Sequence, residues 1–161
     1  MPTTAAAVPL DLLADIGRGL ARSPSLWRHH AHHRTDDRRP VRLLATEHYE
    51  AWVIGWTTGQ GVELHDHGDS VGSLTVVEGE LAELVLTRAA LRRRTLGAGS
   101  TVTLPARLVH DVVAPGPASA TSVHVYSPPL RHMTFYAPDG RPLRTEAVVP
   151  EVPVVRPLAR A

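Results

Sequence analysis

The chain has 161 residues, 43% of them hydrophobic and 20% charged, with a formal net charge of +1 and no cysteine. That length suits a single domain able to bury roughly two-thirds of its unfolded surface, and the missing cysteines exclude disulfides, thiolate metal sites and cysteine nucleophiles. No apolar run is long enough to cross a bilayer, and the opening MPTTAAAVPL lacks the basic start and apolar stretch of a secretory signal. The expectation is a cytoplasmic protein without a membrane partner, monomeric or a weak homodimer. All 17 basic residues are arginine. The blocks Arg38-Arg39 and Arg92-Arg93-Arg94 are short and have no interleaved aromatics, so no nucleic-acid partner is expected.

Residues 9–22 place Leu12, Leu13, Ile16 and Leu20 at helical spacing, with Pro9 and Asp11 suited to a helix start and Pro24 ending the pattern. Gly17 and Gly19 weaken this helix, which must lean on tertiary packing. Residues 23–40 are polar, carry His29, His30, His32 and His33, and have room for a second short helix before Pro40. From Val41 the texture changes to short strands, near 41–45, 49–57, 62–65, 73–78, 81–86, 92–97, 101–104, 109–114 and 121–127, separated by glycine- and proline-rich turns. Many short strands without intervening long helices indicate a sandwich or a barrel. The proline-rich stretch after Pro138 reads as an extended or wrapping tail.

His65-Asp66-His67 falls at the end of a strand, where side chains at i and i+2 share a face and can converge on one ion. His110 opens a later strand. Three neutral imidazoles leave half an octahedron free, a donor set that suits iron, zinc, nickel or copper. The alternative for such a pair of histidines is two solvated or internally satisfied rings. The cluster His29–His33 has no acidic or cysteine partner interleaved and reads as a solvated surface, and His48 and His132 have no supporting pattern.

The spacing around these histidines carries a resemblance. Gly59, five residues, His65-x-His67 and then Gly79 is similar to the first cupin motif, and Gly99, five residues, Pro105, four residues and His110 is similar to the second. The resemblance implies a mainly β fold, a double-stranded β-helix or jelly-roll barrel, with a short N-terminal helical segment. The chain divides accordingly into a helical segment (1–39), a barrel core (40–137) and a tail (138–161). Val71 and Gly72 stand where cupins usually carry a glutamate ligand, Arg107 where glycine is usual and Ala114 where asparagine is usual.

A three-histidine set without a carboxylate is the pattern of thiol dioxygenases. LHDHGDSVGSLTVVEGEL resembles the segment that carries the first two ligands in type I cysteine dioxygenases. SVHVYSPPL, residues 122–130, is similar to their Ser-x-His-x-Tyr signature followed by Ser-Pro-Pro. The resemblance covers about 40–137 and points to the bacterial type. It implies Fe(II) held by His65, His67 and His110, a small thiol and dioxygen as substrates, a sulfinic acid as product, and a relay of Ser122, His124 and Tyr126. The cysteine that some relatives crosslink to this tyrosine would fall at Gly72, so Tyr126 must act as a free phenol. Arg42 is the expected partner of the substrate carboxylate, with Arg39 second and Arg107 a further possibility, because arginine grips a carboxylate through two parallel hydrogen bonds. Met133 and Trp56 are expected to line the barrel or its mouth. L-Cysteine is the first substrate reading and 3-mercaptopropionate the second. A non-enzymatic metal-binding cupin is the alternative from another class, and it would not require the relay.

Overall fold

The computed structural model describes residues 6–149. Helix α1 spans Leu10–Ala21, close to the expected bounds, and Pro24–Trp27 forms the short helix α2, continued by one 3-10 turn at Arg28–His30. Eleven strands follow: β1 (Val41–Ala45), β2 (Glu50–Trp56), β3 (Gly61–Asp66), β4 (Val71–Glu78), β5 (Glu80–Leu86), β6 (Leu91–Gly97), β7 (Thr101–Leu104), β8 (His110–Val113), β9 (Ala120–Ser127), β10 (His132–Tyr136) and β11 (Pro142–Ala147). They make two antiparallel sheets, ordered β1-β2-β9-β4-β7 and β11-β10-β3-β8-β5-β6. The fold is the expected cupin barrel with an N-terminal helical segment. No helix among the described residues is long and apolar enough to cross a membrane.

Every strand expected between Val41 and Ser127 forms. In the stretch after Pro138, Pro142–Ala147 is extended and completes a hairpin with β10, whose Phe135 in turn pairs with His65 of β3; the rest of the expected tail, 150–161, lies outside the described residues. β11 is exposed along its whole length, so hydrophobic alternation gave it no signature.

The two faces of the first sheet are both covered. Trp52, Ile54 and Trp56 alternate from β2 into the barrel interior, where they join Leu74, Val76, Leu104 and Tyr126. The alternate residues Ala51, Val123 and Val125 lie under α1, against Leu13, Ile16 and Leu20. Leu13 is fully buried, and Ser73 donates to its backbone carbonyl at 2.9 Å, which fixes the helix on β4. Burying such a leucine stabilises by roughly 1.5–3 kcal/mol. This two-sided coverage explains why β2 and β9 are buried residue after residue where a sheet with one wet face would alternate.

The histidine-rich segment between α2 and β1 keeps His29, His30, His32 and His33 exposed, as its composition suggested, but it is tied to the barrel. His33 Nε2 lies 2.9 Å from Thr121 Oγ1 and 3.1 Å from the Ala120 carbonyl. Gln60 donates to the Arg34 carbonyl at 2.6 Å. The backbone of His32 runs so close to β2 that a Cβ on Gly55 would meet its carbonyl oxygen at 2.3 Å, leaving room for glycine alone. The segment is therefore a strap, fixed at one end of the barrel and leading across the mouth into β1.

Candidate active site

The motif glycines Gly59, Gly79 and Gly99 take φ angles of 81°, 72° and 89°, the left-handed turns that return the chain between strands. These turns bring β3 and β8 together so that His65 pairs directly with His110. A bulge between Val62 and His65 in that ladder re-aims the end of β3, and His67 follows one residue beyond it. The three rings are buried, with centroids 4.7–5.2 Å apart. Each can offer one nitrogen to a group in which all three lie within 4.8 Å of one another.

The hydrogen bonds behind these rings decide which nitrogen is free. His65 Nδ1 lies 2.6 Å from the Glu63 carbonyl, which can only accept, so the proton sits on Nδ1. His110 Nδ1 donates to Glu83 Oε1 at 2.7 Å, and its Nε2, buried, has no partner among the described residues. An orphaned imidazole nitrogen facing two others is what a cation would satisfy. Burial, then the neighbouring His110, pushes His65 down to about 3, and burial with both neighbours holds His67 well below its ordinary value. His65 and His67 are thus neutral at physiological pH, the form that ligates a metal. The residues present fit a metal ion with three nitrogen donors.

Glu83 belongs to no motif read in the sequence. It is fully buried on β5, accepts from His110 with one oxygen and pairs with the Arg94 guanidinium through the other. Burial works to raise its carboxyl, but the bonds from His110 and Arg94 outweigh this and hold it below the usual carboxylate range. The signal was available: in Leu81, Glu83 and Val85, alternation assigns a glutamate to the interior face. Arg94, read as one of a basic block, is the cross-strand partner of Glu83.

Opposite this group, Ser122, His124 and Tyr126 point inward from β9. Ser122 Oγ is 2.8 Å from His124 Nε2, His124 Nδ1 is 3.1 Å from the Tyr126 hydroxyl, and that hydroxyl is 3.3 Å from His67 Nε2. Burial lowers His124 to about 3 and raises Tyr126 well above its ordinary value. Tyr126 also faces Gly72, where a Cβ would stand 2.8 Å from the tyrosine ring. The absent side chain is what admits the ring.

Between the two rows lies a cavity of about 350 Å³ lined largely by apolar side chains, including Trp52, Trp56 and Met133. The arginines divide differently from the expectation. Arg42, on β1, is not among the lining residues and spends its guanidinium on buried Glu50, 3.4 Å away. Arg107 is exposed and pairs with Asp69 at 2.7 Å. Arg39 does line the cavity, and so does Arg38, for which the sequence suggests no role. Arg38 is carried there by the strap, with its guanidinium carbon 5.0 Å from the centre of the Trp56 ring. Only strap geometry distinguishes it from Arg39, and no sequence spacing reports that. His48 sits exposed beside Glu47, and the exposed His132 packs against Gly68.

Residues 3–138 match the family model described as cysteine dioxygenase type I. The chain belongs to the type I cysteine dioxygenase family. Similar solved structures agree on the barrel. A Klebsiella pneumoniae protein described as having a double-stranded β-helix domain is 21% identical, with TM-score 0.56, over 63% of this chain and 85% of its own. A Thermus thermophilus protein is 20% identical, with TM-score 0.57, over 63% and 93%. A cupin superfamily protein from Desulfitobacterium hafniense is 11% identical, with TM-score 0.52, over 60% and 82%. At these identities the likeness is one of fold.

Proposed function

We propose that this family member is an iron-dependent thiol dioxygenase that converts L-cysteine to cysteine sulfinate, with His65, His67 and His110 as metal ligands. The observation that carries the reading is the Tyr126 hydroxyl, the end of a buried Ser-His-Tyr row, 3.3 Å from one ring of a buried three-histidine group. A metal-binding module has no use for that row. Iron, when bound, supplies the open-shell chemistry that lets dioxygen react with sulfur. The overall reaction, thiol plus dioxygen to sulfinic acid, balances without an added reductant.

The chain's own residues do the rest. Neutral ligands leave the cation's charge uncompensated, which favours a thiolate over a thiol. Apolar walls keep water from the reacting sulfur. Tyr126, held as a neutral phenol, offers a hydrogen bond to an anionic group beside the ligands. We assign the substrate carboxylate to Arg38, a cation in the cavity with no carboxylate bonded to it among the described residues. Arg42 could serve only by leaving Glu50.

The second reading, 3-mercaptopropionate, is favoured by one feature. The described lining provides Arg38 and Arg39 for a carboxylate but only Asp37 as an acidic side chain, so a substrate without an amino group forfeits little.

The test is anaerobic Fe(II) loading followed by oxygen uptake with L-cysteine and 3-mercaptopropionate in parallel, with sulfinate quantified. One dioxygen consumed per sulfinate is expected, and the ratio of kcat/KM values names the substrate. Arg38→Ala should raise KM by about tenfold or more while changing kcat less, the mark of a lost binding contact. Stoichiometric iron with no uptake on either thiol would overturn the reading.

A further inference from the structure

We infer that Trp56 is a positioning residue that sets the direction of the hydrogen-bond relay, so that the hydroxyl proton of Tyr126 points at the ligand group. The inference rests on the functional reading above for its consequence, but not for its geometry. Trp56 lies on β2, where it lines the cavity, and is almost fully buried. Its Nε1 lies 2.9 Å from Ser122 Oγ. The relay therefore has a fourth member, beyond the three that β9 supplies.

An indole N–H can only donate. Ser122 must accept from it, and Ser122 is itself completely buried. Its one remaining partner among the described residues is His124 Nε2, at 2.8 Å. A buried hydroxyl left without an acceptor costs about 1–3 kcal/mol, so the serine proton goes to His124. Nε2 then accepts, and the neutral imidazole carries its proton on Nδ1. That proton is donated to the Tyr126 oxygen at 3.1 Å. With its oxygen already accepting, the phenol in the metal-free protein directs its own proton onward to His67 Nε2, 3.3 Å away.

Each link is ambiguous on its own, because hydroxyls and imidazoles donate or accept equally well. The donor-only indole at the far end removes the ambiguity from all of them. The Arg38 guanidinium over the same ring draws electron density from the indole and strengthens the N–H as a donor. Trp52, its neighbour two residues earlier than Ile54 on the same face, offers the contrast: its Nε1 has no partner among the described residues.

The tautomer of His124 can be read directly in the metal-free protein from its imidazole nitrogen-15 resonances, assigned with a His124→Gln variant. The wild type should show a protonated Nδ1 and a bare Nε2. Trp56→Phe, which keeps a ring but not the donor, and Ser122→Ala should both shift His124 toward a mixture of tautomers. Trp52→Phe should leave it unmoved. In the iron-loaded protein, Trp56→Phe should lower kcat about ten- to hundredfold, with KM changed less and fewer sulfinates formed per dioxygen. A wild-type His124 protonated on Nε2, or an unchanged tautomer in Trp56→Phe, would overturn the inference. The wild-type spectrum alone suffices if the variant fails to fold. If the tautomer is as stated but no thiol is oxidised, the functional reading fails and the relay polarity stands.

Discussion

The two sheets that face each other across the cavity are held in place by different means. The sheet that presents Ser122, His124 and Tyr126 is backed by α1, and its β2 and β9 are buried from end to end. The sheet that presents His65 and His110 has no helix behind it among the described residues and ends in β6 and β11, which stand almost wholly in solvent. There the rings are aimed by polar contacts: the Glu63 carbonyl behind His65, and the Glu83 carboxylate behind His110. The difference teaches that rigidity in one barrel comes from two sources, packing where an element can be covered and charge-assisted hydrogen bonds where it cannot.

The largest effect should come from breaking the polar side at its centre. His110→Ala is expected to lose bound iron and oxygen uptake together, by a hundredfold or more, as read by metal analysis and an oxygen electrode. Full iron occupancy in that variant would remove the ligand assignment. Next, the packed side should yield to a cavity: Leu13→Ala should cost about 3 kcal/mol in urea unfolding, whereas Leu91→Ala on exposed β6 should stay within about 0.5 kcal/mol. Equal costs would mean that α1 does not brace its sheet.

A finer probe is Glu83→Gln, which keeps the shape but weakens the charge-assisted bond to His110. Cobalt(II) affinity should fall about ten- to hundredfold, and an unchanged titration would sink the role given to Glu83. The last probe is a slope. His65 and His124 are held near 3, against an ordinary value of 6.5. Between those values the unfolded chain binds protons that the folded one does not. Metal-free stability is therefore fully present above pH 6.5 and falls as pH drops toward 3, by up to about 1.4 kcal/mol per unit for each histidine. A flat profile between pH 6.5 and 4 would contradict the burial of both rings.

Legibility in the sequence followed the same division. The barrel strands were readable because turn glycines and prolines punctuate them, the His65, His67 and His110 group because of its spacing from the motif glycines, and the Ser122-His124-Tyr126 row only through the resemblance to cysteine dioxygenases. What escaped was what depends on three-dimensional contact. Glu83 stood in plain alternation, yet its partners lie 11 and 27 residues away. β11 buries nothing and so left no pattern. Arg38 and Arg42 look alike in sequence, and only the position of buried Glu50 separates the arginine that is neutralised from the one that faces the cavity.

The strap has a consequence for how this site could diversify. His33 is anchored to β9, the Arg34 carbonyl to Gln60, and β1 begins at Val41. Arg38 hangs from the short span between, like a weight on a cord tied at both ends. Lengthening that cord by one residue would let the cation sink deeper or ride higher while every ligand and relay residue stayed where it is. Insertions and deletions in a segment outside the barrel would thus act as a ruler for the distance between the reacting sulfur and the acid group of the substrate.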